Sequence, residues 1–303
     1  MPNLIFLRHR ETGYYLSRDG RLKDEVFDTE LFAPSTTRHG FDAIVYEELM
    51  PSQLLAILQL NGWVLAKFFT QAEVTQLKQP LATEIESTTD TQVRLGDLVA
   101  RDAAFAHVIT HPVLLAILRR EFGTSIRCSS FSSNTLLPQI ETENTVLGWH
   151  VDYPYHDLKS PWQVSPTLGI QVLTLLDEFT SENGGTLFRT HSVQRAHWPT
   201  YGEFSTPGKR GRSQCEQLGR QIHHHPHIKQ FHPADAGDCF IMHSACWHRQ
   251  MPNCSESPRT ALLANYVPST MRPKDRMEFI DYPQFTSRDR ETLRELYAPF
   301  VEE

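Results

Sequence analysis

The sequence predicts a mainly β protein with helices along its flank, built as a sandwich or a barrel. Two observations predict this class. From about residue 125 onward, short apolar or β-branched segments follow one another, each bounded by Gly, Pro, Asn or Asp, and many short strands with such turn signals are typical of a sandwich or barrel. Residues 46–124 instead show the apolar spacing of helices. We therefore expect one domain, residues 1–303, in which a helical front part packs on a β core.

Three helices are expected in the flank of residues 46–124. The first begins at Pro51 and ends at the Asn61-Gly62 pair, a helix-stop signal. The second follows Thr70, which forms a capping-box pattern with Glu73, and continues to about residue 86. The third begins at Pro112 and ends before residue 123. Between the first two, residues 63–69 read as a short buried strand.

The remaining segments are an extension, a core and a tail. Residues 1–45 form a charged N-terminal extension in which the Asp19-Gly20 pair predicts a small hairpin. Residues 125–270 form the β core, interrupted by a Pro/Gly/His-rich insertion over 198–236 that we expect to act as a lid. Residues 271–303 form a tail with a closing helix from Ser287. Within the core, strands are predicted at 125–137, 145–152, 167–176, 185–190, 237–248 and 259–267.

Composition excludes several classes of function. The formal charge of −7 argues against a nucleic-acid partner, because phosphate binding needs a concentrated basic surface. No apolar run approaches the roughly 20 residues that span a bilayer, and the apolar patch at residues 4–7 is shorter than a signal peptide needs. Five cysteines form an odd set without a C-x-x-C pattern, which indicates reduced thiols. We expect a cytoplasmic protein with no membrane partner.

A metal site is predicted from two strings of sequence. On a strand, side chains two residues apart lie on the same face, so His150 and Asp152 can bind one ion side by side. A third ligand must come from elsewhere, and two histidines with one carboxylate form the facial triad of iron(II) oxygenases. The second string runs from Gly237 along an apolar strand that ends at His248, with His243 in the middle of the strand.

His243 and His248 compete for the third position, and the position of Arg259 favours His248. Arg259 lies eleven residues after His248, at the start of the next predicted strand. The planar fork of a guanidinium holds a carboxylate through two parallel hydrogen bonds. Arg259 is therefore expected to bind the far end of a dicarboxylate that chelates the metal.

Other polar clusters have weaker claims. The histidine tract of residues 223–227 and the basic residues 209–212 are interpreted as solvated loops, although the first could bind metal and the second an anion. Tyr153, Tyr155 and His156 follow the His150–Asp152 pair closely enough to be candidates for a substrate pocket.

Taken together, these strings resemble the phytanoyl-CoA dioxygenase family of 2-oxoglutarate oxygenases over roughly residues 50–270. The resemblance is carried by four blocks: residues 61–74, residues 149–152, residues 176–187 with their Asn-Gly turn, and residues 237–259. Two positions depart from the family pattern. The family's Pro-Gly-Ser-His segment stands here as Thr-His-Ser-Val at 190–193, and Gln250 replaces a small hydroxyl residue two positions after the distal histidine.

The resemblance implies a double-stranded β-helix (jelly roll, cupin-like) core with iron ligands His150, Asp152 and His248. It also implies that Arg259 binds the carboxylate of 2-oxoglutarate. Gln250 stands at the family's second contact position, and Asn134 and Thr135, on a predicted strand before the triad, are candidates for that contact instead. The implied reaction uses Fe(II), 2-oxoglutarate and O2 to oxidise a C–H bond of a small-molecule substrate, with release of succinate and CO2. Two alternatives stay open: a hydrolase or isomerase that uses zinc or manganese in the same fold, and a non-catalytic cupin-like binding protein.

Overall fold

A computed structural model describes residues 51–87, 90–138, 150–155, 166–188, 193 and 233–300, together with five short strands before residue 45. Only the backbone is described for those strands and for residues 52, 53 and 60. The strands are β1 (Leu7–Arg8), β2 (Tyr15–Leu16), β3 (Leu22–Lys23), β4 (Thr36–Arg38) and β5 (Phe41–Ala43). β2 pairs with β3 in antiparallel register, as the predicted hairpin requires. The Asp19-Gly20 turn itself lies outside the described residues.

The three predicted helices of the flank are confirmed as α1 (Pro51–Asn61), α2 (Gln71–Glu86) and α5 (Pro112–Phe122). Both halves of the Thr70–Glu73 capping box are formed. Two one-turn helices lie between α2 and α5, α3 (Leu98–Arg101) and α4 (Ala106–Ile109). The closing helix α6 (Ser287–Leu296) begins at its predicted residue, capped by Thr286.

The β core contains a six-stranded antiparallel sheet with the strand order β6-β11-β9-β13-β8-β7. Its strands are β6 (Trp63–Lys67), β7 (Gln92–Gly96), β8 (Ile126–Leu136), β9 (Ile170–Leu175), β11 (Asp238–His243) and β13 (Arg259–Pro268). A smaller sheet pairs β10 (Thr186–Phe188) with β12 (His248–Gln250), and His150 joins it through an isolated bridge to His248. The two sheets face each other as in a jelly roll, since the Trp63 ring of β6 stacks on the Phe188 ring of β10 with 5.1 Å between centroids.

Alternating side chains of the large sheet serve two apolar cores. On β11, Cys239 and Ile241 pack towards the helices, whereas Phe240 and Met242 pack between the sheets. This alternation follows from the two-residue period of a strand. Because helices cover one face of the large sheet and the small sheet covers the other, all of β8 is buried. A cavity lined partly by polar side chains lies at the end where β8, β12 and β13 meet.

The expectation of a single strand over 237–248 was wrong. β11 ends at His243, a turn follows, and His248 begins β12 in the smaller sheet. The turn is closed because the amide of Cys246 donates to the carbonyl of His243 (2.7 Å) and the amide of Ala245 donates to His243 Nδ1 (3.1 Å). The chain therefore passes from one sheet to the other between His243 and His248, and the polar pair His243-Ser244 stands at that point of the sequence.

Several predicted segments lie wholly or partly outside the described residues. Of the strand predicted at 145–152, residues 145–149 fall there, and His150 takes part only in the bridge to β12. Of the insertion at 198–236, only residues 233–236 are described, with Ala234 bridged to Phe179. The division into extension, flank, core and tail stays a prediction. No helix in the described ranges has the length and apolar character to cross a bilayer.

Candidate metal centre

His150, Asp152 and His248 lie together at the open end of the jelly roll. Reciprocal backbone hydrogen bonds of 3.0 and 3.1 Å join His150 to His248, so their rings lie side by side with centroids 4.2 Å apart. The amide of Asp152 donates to the carbonyl of Ser244 at 2.8 Å, which turns its carboxylate towards both rings. Its oxygens lie 4.0 Å from His150 Nε2 and 3.5 Å from His248 Nε2. One ligand atom from each residue lies within 4.8 Å of the others, close enough to share an ion.

The hydrogen bonding of His248 prepares its ring for a metal. Its Nδ1 lies 3.0 Å from the carbonyl oxygen of Cys246, which can only accept a hydrogen bond. Nδ1 therefore carries the proton, and the lone pair of Nε2 points to the cluster in the neutral ring. A partner of this kind on the non-ligating nitrogen is the usual support of a metal-binding histidine.

Arg259 begins β13 and is buried, with 2% of its surface exposed. Its Nη2 donates to the carbonyl of Gly184, its Nε donates to that of Asn183 at 3.4 Å, and its guanidinium lies 4.2 Å from the centre of the Phe179 ring. Burial lowers the pKa of Arg259 to about 9, while nearby Asp177 opposes the change. The group therefore remains charged at neutral pH, and its remaining N–H groups are available to an anion.

Two loops hold Arg259 in this position. Gly184 has φ of +86°, and a Cβ there would lie 2.9 Å from the carbonyl oxygen of Met251, so a glycine allows the turn to approach so closely. In the second loop the fully buried Asn253 side chain donates to the carbonyls of Leu136 (3.0 Å) and Ser257 (2.8 Å). These contacts account for the Asn-Gly and Asn-Cys-Ser strings of the sequence.

The triad and Arg259 line one cavity of about 150 Å³. A chain of side-chain amides crosses its wall: Gln92 donates to Asn134 Oδ1 at 2.6 Å, and Asn134 donates to Gln250 Oε1 at 2.9 Å. The NH2 group of Gln250 is thereby left as a donor. Arg94 and Lys274 also line the cavity.

Sequence reasoning missed Gln92, Arg94 and Lys274. The first two lie on β7, which was not predicted, and reach the cavity because Arg94 pairs with Asn134 across the sheet. The signal that was available is the spacing of Gln92 and Arg94, two residues apart and so on one face of a strand. Lys274 lies in a loop, and no local pattern marks it.

Three of the predicted candidates make other contacts in the structure. Thr135 lies on the opposite face of β8 from Asn134, where its hydroxyl pairs with that of Thr260 at 2.8 Å. Tyr153 donates its hydroxyl to the carbonyl of Arg272, and the buried Tyr155 accepts from the amide of Leu168 at 2.9 Å. None of these three side chains is on the described wall of the cavity.

Of the remaining candidates, His243 is described by the structure and the others are not. His243 is used inside its own turn, so the geometry favours His248 as the third ligand. His156, the basic residues 209–212, the histidine tract at 223–227 and residues 190–192 lie outside the described residues.

A jelly roll with two histidines, one carboxylate and a buried arginine at its open end is the arrangement of a mononuclear non-haem metal oxygenase. The family model for phytanoyl-CoA dioxygenase (PhyH) matches residues 58–261, and the chain belongs to this family. The match contains every one of these four residues.

Among curated proteins, the chain is 26% identical over 182 residues to the dioxygenase af480 of Aspergillus fumigatus, covering 60% of this chain and 50% of that protein. It is 25% identical over 170 residues to the dioxygenase andF of Emericella variicolor, covering 55% and 50%. The chain thus spans about half the length of the curated relatives it matches.

Solved structures share the fold. The non-haem α-ketoglutarate-dependent epimerase SnoN from nogalamycin biosynthesis matches with a TM-score of 0.56 and 18% identity, over 74% of this chain and 84% of that one. HygX from Streptomyces hygroscopicus, with nickel and 2-oxoglutarate bound, matches with a TM-score of 0.55 and 16% identity, over 73% and 88%.

Proposed function

We propose that this protein is an Fe(II)- and 2-oxoglutarate-dependent dioxygenase that oxidises a C–H bond of a small-molecule substrate. The observation that carries the proposal is the meeting of His150, Asp152, His248 and Arg259 in one cavity. Three ligands on one side of an ion leave positions open for a chelating cosubstrate and for oxygen. Zinc hydrolysis gives the remaining N–H groups of the buried Arg259 no evident task, and the intact set of three ligands argues against a non-catalytic binding protein.

The donor set fits the cofactors. Two neutral imidazole nitrogens and a carboxylate oxygen suit non-haem iron(II). Arg259 and the NH2 of Gln250 line the same cavity as the three ligands and would hold the other carboxylate of a dicarboxylate chelated to the metal at its keto-acid end. Bound iron and 2-oxoglutarate supply the activation of dioxygen, with succinate and CO2 as coproducts.

The chain's own residues place the reactants and exclude water. Arg259 supplies a fixed positive charge that needs no reorganisation when the carboxylate arrives. Leu173, Met242 and Leu263 line the same cavity and keep part of its wall apolar. The carboxylate of Asp152 fills the position that a chloride-transferring relative would leave open, which supports oxidation by oxygen over halogenation.

The curated relatives support the proposed reaction class, and the cysteines support the proposed compartment. The curated relatives are described as dioxygenases, and one similar structure holds 2-oxoglutarate with nickel. The described cysteines, Cys128, Cys239, Cys246 and Cys254, are free thiols, as in a reducing compartment. We place the enzyme in the cytoplasm.

Anaerobic titration with Fe(II) and 2-oxoglutarate tests the proposal. We expect a visible charge-transfer absorption that needs both components, followed on admission of oxygen by succinate and CO2. Asp152→Ala should abolish the absorption. Arg94→Ala, which changes a residue of the same cavity that is not a ligand, should retain it. Turnover without oxygen or 2-oxoglutarate would instead establish a hydrolase or isomerase, and failure to bind iron would establish a binding protein.

A further inference from the structure

A second cavity, of about 700 Å³, lies at the other end of β8 from the metal centre. Arg127 forms part of its wall, seven residues before Asn134 on β8, which at about 3.3 Å per residue separates them by roughly 23 Å. The loop that follows β13 and the residues that follow α6 complete the wall.

Arg127 is a buried cation without an acidic partner in the described part of the chain. It is 5% exposed, and its Nη2 donates to the carbonyl of Ser269 at 2.6 Å. Its guanidinium lies 5.3 Å from the centre of the Phe300 ring, but its Nε is buried without a hydrogen-bond partner. Burial lowers the pKa of Arg127, with no acid opposing the change. A buried charge without an anionic partner is unfavourable, so a ligand that supplies an anion would be stabilised here.

More cations surround the cavity. Arg272, Lys274 and Arg276 line it, and Lys274 also lines the metal cavity. Among the described residues of the wall, the carboxylate is that of Asp275. This concentration of positive charge is notable in a chain whose formal net charge is −7, and a local field of this kind attracts anions.

The loop that carries these cations is fixed to β8. The Ser129 hydroxyl accepts from the amide of Lys274 at 2.7 Å, and the Ser129 carbonyl accepts from the amide of Asp275 at 2.9 Å. Tyr297 also lines the cavity, and its hydroxyl is buried without a hydrogen-bond partner. The cavity therefore has a set backbone frame and two unsatisfied buried polar atoms.

We propose that this cavity binds a phosphate-bearing small molecule at a site separate from the metal centre. Phosphate fits better than a carboxylate because its three terminal oxygens accept from several directions, as guanidinium groups on different segments require. The volume is that of a small-molecule pocket, not of a bare ion. Tyr297 and Phe300 offer aromatic surface for the body of the ligand.

Phenyl phosphate is the probe, since it joins a phosphate to a planar apolar body. Calorimetric titration of the full chain at constant ionic strength should show one saturable site, with weaker binding of benzoate. Arg276→Gln should weaken binding about tenfold, the value of one charge-assisted hydrogen bond. Arg120→Gln is the matched control: it removes the same charge from an exposed position of α5 outside the cavity, and it should change binding less than about twofold.

Arg127→Lys tests the role of the buried guanidinium, because lysine keeps the charge but lacks the planar set of N–H donors. This variant should weaken binding at least as much as Arg276→Gln. If this variant does not fold, Arg276→Gln and its control decide. Equal effects of Arg276→Gln and Arg120→Gln, or absence of saturable binding, would overturn the proposal. Displacement of the probe by Ni(II) and 2-oxoglutarate would also overturn it, because a site that shares only Lys274 with the metal cavity should keep its probe when that cavity is filled. The titrations with Arg276→Gln and Arg120→Gln do not depend on the proposed oxygenase activity.

Discussion

Replacing Arg259 by alanine tests the role of the buried guanidinium. The change removes the charge that we assign to the far carboxylate of 2-oxoglutarate. Hydrogen bonds to charged groups contribute about 1.5–3 kcal/mol each, so the loss of two should cost roughly 3 kcal/mol or more. At about 1.4 kcal/mol per factor of ten, the dissociation constant of 2-oxoglutarate should rise about 100-fold. Arg259→Lys retains the charge and one hydrogen bond, and it should show a rise of about tenfold.

The assay measures iron binding and 2-oxoglutarate binding separately under anaerobic conditions. Affinity for Fe(II) should be nearly unchanged, because Arg259 is not a ligand in the proposed site. Thermal unfolding of Arg259→Ala should be measured as well. The carbonyls of Asn183 and Gly184 lose their donor in this variant, so its fold should be less stable. Arg94→Ala controls for general charge in the cavity and should have little effect. If Arg259→Ala folds and binds 2-oxoglutarate as the wild type does, or if both variants weaken it equally, the assigned role is wrong.

Three further predictions concern Gln250 in the cavity wall, Gly184 in the Asn-Gly turn, and the buried cysteine thiols and tyrosine phenols. Gln250→Ala should raise the KM for 2-oxoglutarate about tenfold through loss of the donor that Asn134 orients. Gly184→Ala should lower the free energy of unfolding by about 2 kcal/mol or more, from its positive φ and the approach to the Met251 carbonyl, whereas Gly96→Ala should be tolerated because no atom lies within 4 Å of its added Cβ. Burial raises the pKa of two thiols and three phenols: Cys128, Cys239, Tyr155, Tyr266 and Tyr297. Above a pH of about 8.5 for the thiols and about 10 for the phenols, each of these groups should lower the free energy of unfolding by about 1.4 kcal/mol per pH unit.

The sign of the alkaline effect follows from where the protons are held. The folded state keeps these groups protonated, whereas the unfolded state releases the protons, so stability is complete below the unfolded pKa values and falls above them. Urea unfolding over this pH range measures the slope, and Cys128→Ala should reduce it. An unchanged KM for Gln250→Ala, equal stability of the two glycine variants, or a stability that does not change with pH would each contradict the corresponding prediction.

The helices could be predicted because their signals are local. A proline at the first turn, a capping box and a glycine past the last turn act on residues within four positions of one another. α1, α2, α5 and α6 accordingly begin where the sequence indicates. The turn at residues 244–246 could not be predicted, since serines such as Ser244 also occur inside strands, as in β8, and only the second sheet gives His248 a new partner.

The site was only partly predictable. The His-x-Asp spacing, and the position of Arg259 eleven residues after His248, can be seen in the sequence, and the structure brings those four residues into one cavity. Asn134 and Thr135 are neighbours with similar polarity, and only the pairing of β8 with β7 and β13 decides which of them faces the cavity.

The sequence alone determined which groups are available: two imidazoles, a carboxylate and a guanidinium at fixed separations along the chain, with helices whose ends are set by neighbouring residues. Tertiary structure alone decided which other residues surround those groups and form hydrogen bonds with them. The amide chain from Gln92 to Gln250, the carbonyls that hold Arg259 and the basic cavity around Arg127 all join segments far apart in sequence. The physical reason is that strand pairing and loop closure depend on partners many residues away, whereas capping and side-chain periodicity depend on adjacent turns of the same chain.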